Sequence, residues 1–252
     1  MCVRSMIFFV ALMLAPVVAA QAQQSGDREA AFIAGRTRDC PGCMLQGASF
    51  KRRDLAKADL SGADLVEASF HAANLRGANF AGANLAYANF NRANVGSANF
   101  DGANLTESLF FAARAPGASF VGATLVRARL GKASFIRANL EGADISSAVL
   151  EETNLNDARL VSVNLDGAYL RRAKLIRVDL SGASANAVFF VEADLRHADL
   201  VGTSLRRSNF DSANLGQSDL SGADLTEANI VRANMIDSTL TKAIMPDGSV
   251  QP

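Results

Sequence analysis

Histidine is nearly missing from this chain: among 252 residues there are two, His71 and His197, far apart in the sequence. No Cys/His cluster with metal-ligand spacing can be assembled from them. A Ser/His/Asp constellation drawn from His197, Asp199 and Ser204 lacks the pocket that would exclude water and orient a substrate. Cysteine is equally sparse, with Cys2, Cys40 and Cys43 the whole complement. The Cys40-x-x-Cys43 pair in "DCPGCML" is half of a typical zinc site and lacks the βαβ setting of a redox motif. No catalytic, metal or cofactor residues are therefore expected, and the chain is read as a non-enzyme.

An excess of charge is also absent. Lys and Arg number 25 against 25 Asp and Glu. Neither nucleic acid nor an anionic membrane surface is expected as a partner at that balance. Long hydrophobic runs are absent except for one, Met6–Ala20, which follows Arg4 and leads into the small residues Ala20, at its end, and Ala22. The run is shorter than the roughly 20 apolar residues a spanning helix needs. It reads as a signal peptide over residues 1–22, cut near Ala22, with a periplasmic or secreted product and no membrane span after cleavage. Cleavage there would remove Arg4 and leave 24 bases against 25 acids.

What is present is repetition. Leu or Phe occupies every multiple of five from Leu45 to Leu240, except at Val95, Ala115, Ile145, Ala185, Ile230 and Met235. Ala stands two residues earlier in most units, and Asn or Asp one residue earlier. In a helix, a five-residue period would scatter the Leu and Phe side chains around the whole circumference. In a straight strand, an odd period would send them to alternate faces. The chain must bend once per unit, with Ala and Leu (or Phe) inward and Asn, Asp, Gly or Ser at the corners. Gly62, Gly82, Gly102, Gly122 and Gly142 recur every twenty residues, so four units close one coil. Phe50, Phe70, Phe90 and Phe110 then form one core ladder and Phe80, Phe100 and Phe120 another on the opposite wall. Ala115 between Phe110 and Phe120, and Ala185 beside Phe190, read as volume compensation.

The units "ADLSG" (58–62), "ADLVE" (63–67), "ANLRG" (73–77), "ANFAG" (78–82) and "ANLAY" (83–87) resemble the pentapeptide-repeat family. That resemblance implies an all-β fold, a right-handed quadrilateral parallel β-helix. Some cytoplasmic members of that family bind type II topoisomerases by imitating an acidic duplex, and most have no assigned activity. About ten coils at the ~4.8 Å strand spacing give a rod on the order of 50 Å long. The expected organisation is a signal peptide (1–22), an N-terminal cap segment containing the CxxC (23–44), the β-helix (45–245) and a C-terminal tail (246–252). Ser25 or Asp27 would start a short capping helix whose Ala30, Phe32 and Ile33 cover the first coil. The tail is too short to cap the other end. Met235, Leu240 and Met245 there mark a homodimer interface, by analogy with dimeric family members.

Chemistry-bearing features remain few. In an oxidising compartment Cys40 and Cys43 would form a structural disulfide pinning the cap to the first coil. Asp59, Asp64, Asp144, Asp179, Asp194, Asp199, Asp219 and Asp224 hold a fixed place in the unit. That placement argues for turn hydrogen bonding, and the Gly-rich nonapeptide of calcium-binding β-helices is missing. Basic residues cluster mid-chain, with Lys132 and Arg172 on one wall and Arg137 and Arg177 on another. Ion-pair ladders with Glu151, Glu152 and Asp157 compete there with an anion-binding strip. "TESLFFAARAPGASF" and "SGASANAVFF" break the repeat chemically, turning Phe111 and Phe189 outward. Phe111 with Pro116 is the candidate contact site for an unidentified protein partner. Phe100→Asp should disrupt the core, while outward Asp101 should accept Ser at little cost.

The expected function is an exported scaffold or protein-interaction module. The alternatives are a topoisomerase-binding DNA mimic, which needs a strongly acidic surface and no leader, and a thiol redox protein using the CxxC.

Overall fold

The computed structural model describes residues 26–252, so the expected signal peptide and Ser25 lie outside the described residues. Parallel bridges join each outward residue n to residue n+20, from Met44↔Asp64 to Asp224↔Ile244, without a slip. Four walls result, named here by their inward residues: the first carries Leu65 and Leu85, the second Phe70 and Phe90, the third Leu75 and Val95, the fourth Phe80 and Phe100. The backbone pairing repeats as rigidly as the sequence. The Leu65 N–H donates to Asn84 O (2.7 Å), Glu67 N–H to Ala86 O (2.9 Å), and Asn84 N–H back to Ala63 O (2.9 Å). Backbone groups of one coil are thereby satisfied by its neighbours, which is why no coil is stable alone.

Each corner but the one at Ala185–Val188 is a β-turn closed by a hydrogen bond such as Ala68 N–H to Leu65 O (3.0 Å). Its third residue has positive φ, 59° at Glu67 and 62° at Gly62, the signature of a type II turn. The twenty-residue glycine series occupies that position on the corner between the fourth and first walls. Elsewhere Arg, Glu, Ser and Lys hold it against a cost of about 1–2 kcal/mol each. Pairing to the coils on both sides imposes the conformation.

The core follows the expected ladders. Phe70–Phe90 and Phe90–Phe110 stack at 5.0 and 4.7 Å, and Phe80–Phe100 and Phe100–Phe120 at 4.9 and 4.7 Å. Rings of the two ladders meet edge to face across the interior, as at Phe80–Phe90 (5.9 Å, 88°). Ala115 is compensated as expected in kind, but the filling ring is Phe135 of the next coil. It lies 6.2 Å from Phe110 and 5.5 Å from Phe120. At Ala185 the compensation is polar. The Ser208 hydroxyl donates to Ala185 O (2.6 Å) and accepts from Val188 N–H (3.0 Å), standing in for the usual turn hydrogen bond.

At the N-terminal end, residues 26–33 form a helix. Of the three residues expected to cover the first coil, only Phe32 does so; Ala30 and Ile33 are exposed. Phe32 packs edge-on against Phe50 at 5.3 Å. Arg53 clamps it from below, donating to Phe32 O and Ile33 O (both 3.1 Å) with its guanidinium over both rings. Arg53 sits in the inward slot that usually holds Ala, so the open end of the core is filled by a cation that caps helix carbonyls.

Coil pairing already begins at Cys40, whose N–H donates to Asp59 O (2.8 Å). The bonded pair Cys40–Cys43 therefore spans the first corner of the coil and does not tie the cap to it, which corrects the expected role. The cap is held instead by Arg53, by Arg28 donating to Pro41 O, and by Glu29 accepting from Met44 N–H. At the other end the tail is more ordered than expected. It folds back as a hairpin in which Ile244 pairs antiparallel with Val250. That hairpin covers one wall, and Ile230, Met235 and Leu240 on the other three remain partly open.

Candidate functional site

One local rule organises the outer surface. The Asn or Asp just before each core residue accepts the N–H two positions on, as Asp59 does from Ser61 (3.1 Å) and Asp219 from Ser221 (2.9 Å). All eight aspartates singled out in the sequence make this bond. Their role is turn closure, and no group of three or more potential metal ligands occurs among the described residues. The hydroxyl and N–H of Ser61 hold the Asp59 carboxyl below its ordinary value, and the Thr226 hydroxyl does the same for Asp224.

At some slots that hold something else, an acceptor one coil away takes over. Asn91 accepts from Phe111 N–H (2.7 Å), Asp101 from Val121 (3.0 Å) and Asn156 from Ile176 (3.0 Å). Pro116 is the third solution. Arg114 in its slot cannot accept, Gly96 below has no side chain, and proline has no N–H to satisfy. Asp101 thus serves Val121 and also accepts from Ser119 Oγ, so it is not the dispensable residue expected from sequence.

The second wall abandons the rule altogether over five successive coils. Its outward slots hold Leu109, Arg129, Val149, Tyr169 and Phe189, where the neighbouring coils of this wall carry Asn89 and Asn209. Tyr169 and Phe189 stack on the outside of the rod, centroids 4.8 Å apart and 5° from parallel. Phe111, at the adjacent corner and 45% exposed, leans over Gly131, where an added Cβ would lie 3.8 Å from its ring. Leu109, Phe111, Arg129, Gly131, Lys132 and Val149 line a shallow depression of about 350 Å³. The strip runs for roughly 20 Å along the rod at ~4.8 Å per coil. Phe111 and Phe189 were expected outward. Leu109, Val149 and Tyr169 were missed, although an apolar residue in the Asn/Asp slot at twenty-residue spacing was the available signal.

The basic residues divide. Lys132 pairs with Glu152 (3.7 Å), Arg172 with Glu192 (2.6 Å) and Arg177 with Asp157 (2.6 Å). Arg172 and Arg177 hold the Glu192 and Asp157 carboxyls below their ordinary values. These are ion-pair ladders on an exposed face. Arg137 has no such partner within 4.0 Å among the described residues and faces a depression on the third wall that Pro116 also lines. Cys40 and Cys43 are almost completely buried, which removes them from the reach of a protein thiol substrate.

This surface belongs to a recognisable class, a solenoid of pentapeptide units. The pentapeptide repeat model matches in eight copies between residues 43 and 247, and the chain belongs to that family. HetL, a pentapeptide repeat protein involved in heterocyst differentiation regulation in the cyanobacterium Nostoc sp., is 31% identical over 88% of this chain and 96% of its own, with a TM-score of 0.41. QnrB1, a plasmid-mediated fluoroquinolone resistance protein, is 16% identical over 77% of this chain and 87% of its own, with a TM-score of 0.39. A pentapeptide repeat protein of the Arabidopsis thaliana thylakoid lumen is 30% identical over 45% of this chain and 68% of its own, with a TM-score of 0.19. No curated protein sequence matches the chain significantly. Members of the family are generally structural or interaction modules. No described helix is long and apolar enough to cross a membrane.

Proposed function

We propose that the chain is an exported, non-enzymatic interaction module that docks a protein partner on its second wall. The carrying observation is the outward line Leu109, Arg129, Val149, Tyr169 and Phe189, flanked by Phe111. These residues do nothing for the core, and they displace the Asn or Asp that would close the turns beneath them. A flat apolar strip with aromatic anchors and a charged rim is the composition of a protein-binding patch. Export is supported by the leader-like residues 1–22, and a bonded Cys40–Cys43 pair suits an oxidising compartment. In-cell photocrosslinking from position 111 or 189 tests the reading. A reproducible protein adduct in the periplasmic fraction supports it.

The topoisomerase-binding alternative needs a continuous acidic surface. Here the carboxylates of the middle coils are bonded to Arg171, Arg172, Arg177 and Lys132, which argues against it. Burial of both cysteines argues against the thiol redox alternative.

A second association, homodimerisation through the C-terminal end, rests on a separate observation. The N–H groups of Ile230, Met235 and Leu240 face away from the rod without an acceptor among the described residues, and Val231 and Ile236 beside them are well exposed. An unpaired edge of this kind is a template for a second chain. Sedimentation of the wild type as a dimer and of Ile236→Asp as a monomer would support this contact; monomers in both would remove it.

A further inference from the structure

The third wall carries a feature that the protein-docking reading does not use. Arg76, Arg114 and Arg137 come from three different coils and line one depression of about 410 Å³ with Asn94, Pro116 and Ile136. The floor is made of residues that project little. Gly96 is buried, and a Cβ added there would lie 3.4 Å from the Pro116 ring, so glycine is what leaves the space open.

Among the described residues none of the three guanidiniums has a carboxylate within 4.0 Å; Arg92 and Arg129 also lack one, but only these three converge on this depression, and Arg127, Arg159, Arg171, Arg172, Arg177, Arg207 and Arg232 are all paired. Asp157 is the acid nearest Arg137 along its corner, and Arg177 already engages both of its oxygens (2.6 and 3.0 Å). Two further donors belong to residues that line the same opening. Asn94 turns its carbonyl to Gly96 N–H (3.2 Å), which leaves its amide hydrogens free. Ile136 N–H lacks the usual acceptor because Ser134 occupies the slot that elsewhere holds Asn or Asp. Arg114 itself replaces the Asn that the same wall carries at Asn74 and Asn94. Asp157 lies near enough to feel the charge of Arg137 without pairing with it, and three cations gathered with no carboxylate in contact repel one another.

We propose that this depression is an oxyanion site, taking a ligand group that bears two or more negative oxygens. Guanidinium forks and N–H donors are suited to phosphate or carboxylate oxygens, and the volume exceeds what a single small ion fills. The site lies one corner away from Phe111, so a ligand here and a protein on the second wall occupy different faces.

The test is calorimetric titration of the purified full chain with pyrophosphate and with citrate at constant ionic strength. One binding event is expected, weakened about tenfold or more by Arg114→Gln or Arg137→Gln, as loss of a charged hydrogen bond implies. Arg172→Gln, which removes an exposed paired arginine, should change it less than about twofold. Preference for pyrophosphate would place the ligand among phosphates, and preference for citrate among polycarboxylates. Arg114→Asn restores the ordinary residue of the wall, so it should melt no lower than wild type while losing the ligand. Absence of binding by both probes, or equal weakening in Arg172→Gln, would overturn the proposal.

Discussion

Tyr169 and Phe189 stack face to face at 4.8 Å on the outside of the rod, one coil apart, repeating on the surface the geometry that Phe90 and Phe110 adopt inside. The inner pair is fully buried by its neighbours; the outer pair is 48% and 40% exposed. Replacing both outer rings by Ala should therefore cost about 0.5–1.5 kcal/mol for the pair plus the burial of their covered faces, well short of unfolding, while abolishing partner capture. A thermal melt read beside a crosslinking assay separates the two effects.

Phe100 and Asp101 are adjacent and should respond very differently. Phe100 stacks between Phe80 and Phe120, so Phe100→Asp places a carboxylate in a closed core and should prevent cooperative folding of the surrounding coils. Asp101→Ser loses the acceptor for Val121 N–H and Ser119, at a cost of about 1 kcal/mol. Asp101→Asn should recover most of it. Denaturant unfolding of the three variants checks the order.

Arg53→Ala should loosen the N-terminal helix selectively. It removes two charge-assisted bonds to helix carbonyls and the cation over Phe32 and Phe50, worth about 2 kcal/mol. Hydrogen exchange should accelerate in residues 30–50 and remain unchanged beyond the next few coils, because solenoid stability is local. Uniform acceleration along the chain would contradict this.

Stability should also depend on pH with a definite sign. Asp59 and Asp224 are held below the ordinary value of 3.8, first by the Ser61 and Thr226 hydroxyls, so the folded state binds protons less readily than the unfolded chain. Their contribution is fully present above about pH 5 and is lost progressively as pH falls through the ordinary value and then the lowered folded values. Melting temperature should be flat from about pH 5 to 8 on this account and fall below pH 4; Asp59→Asn should flatten the acid limb.

The inside of this protein was legible because a strict five-residue period leaves one way to bury Leu and Phe, and the Gly62, Gly82, Gly102 series supplies the coil length. Its surface was less so. Lys132, Arg172 and Arg177 stand out in the sequence as basic neighbours, yet they are paired. Arg76, Arg114 and Arg137 are scattered in sequence and converge only through the twenty-residue register. Leu109, Val149 and Tyr169 likewise belong to one line only when positions are compared coil by coil. Arg53 was hidden for a different reason: a cation in an inward Ala slot makes sense only once the helix carbonyls above it are placed.

The most direct measurement is photocrosslinking in cells from position 189 on the second wall and, in parallel, from position 199 on the fourth. The account predicts one reproducible protein adduct from 189 that disappears with Tyr169→Ala and is not formed from 199. The same adducts from both walls, or none from 189, would contradict a partner-docking second wall.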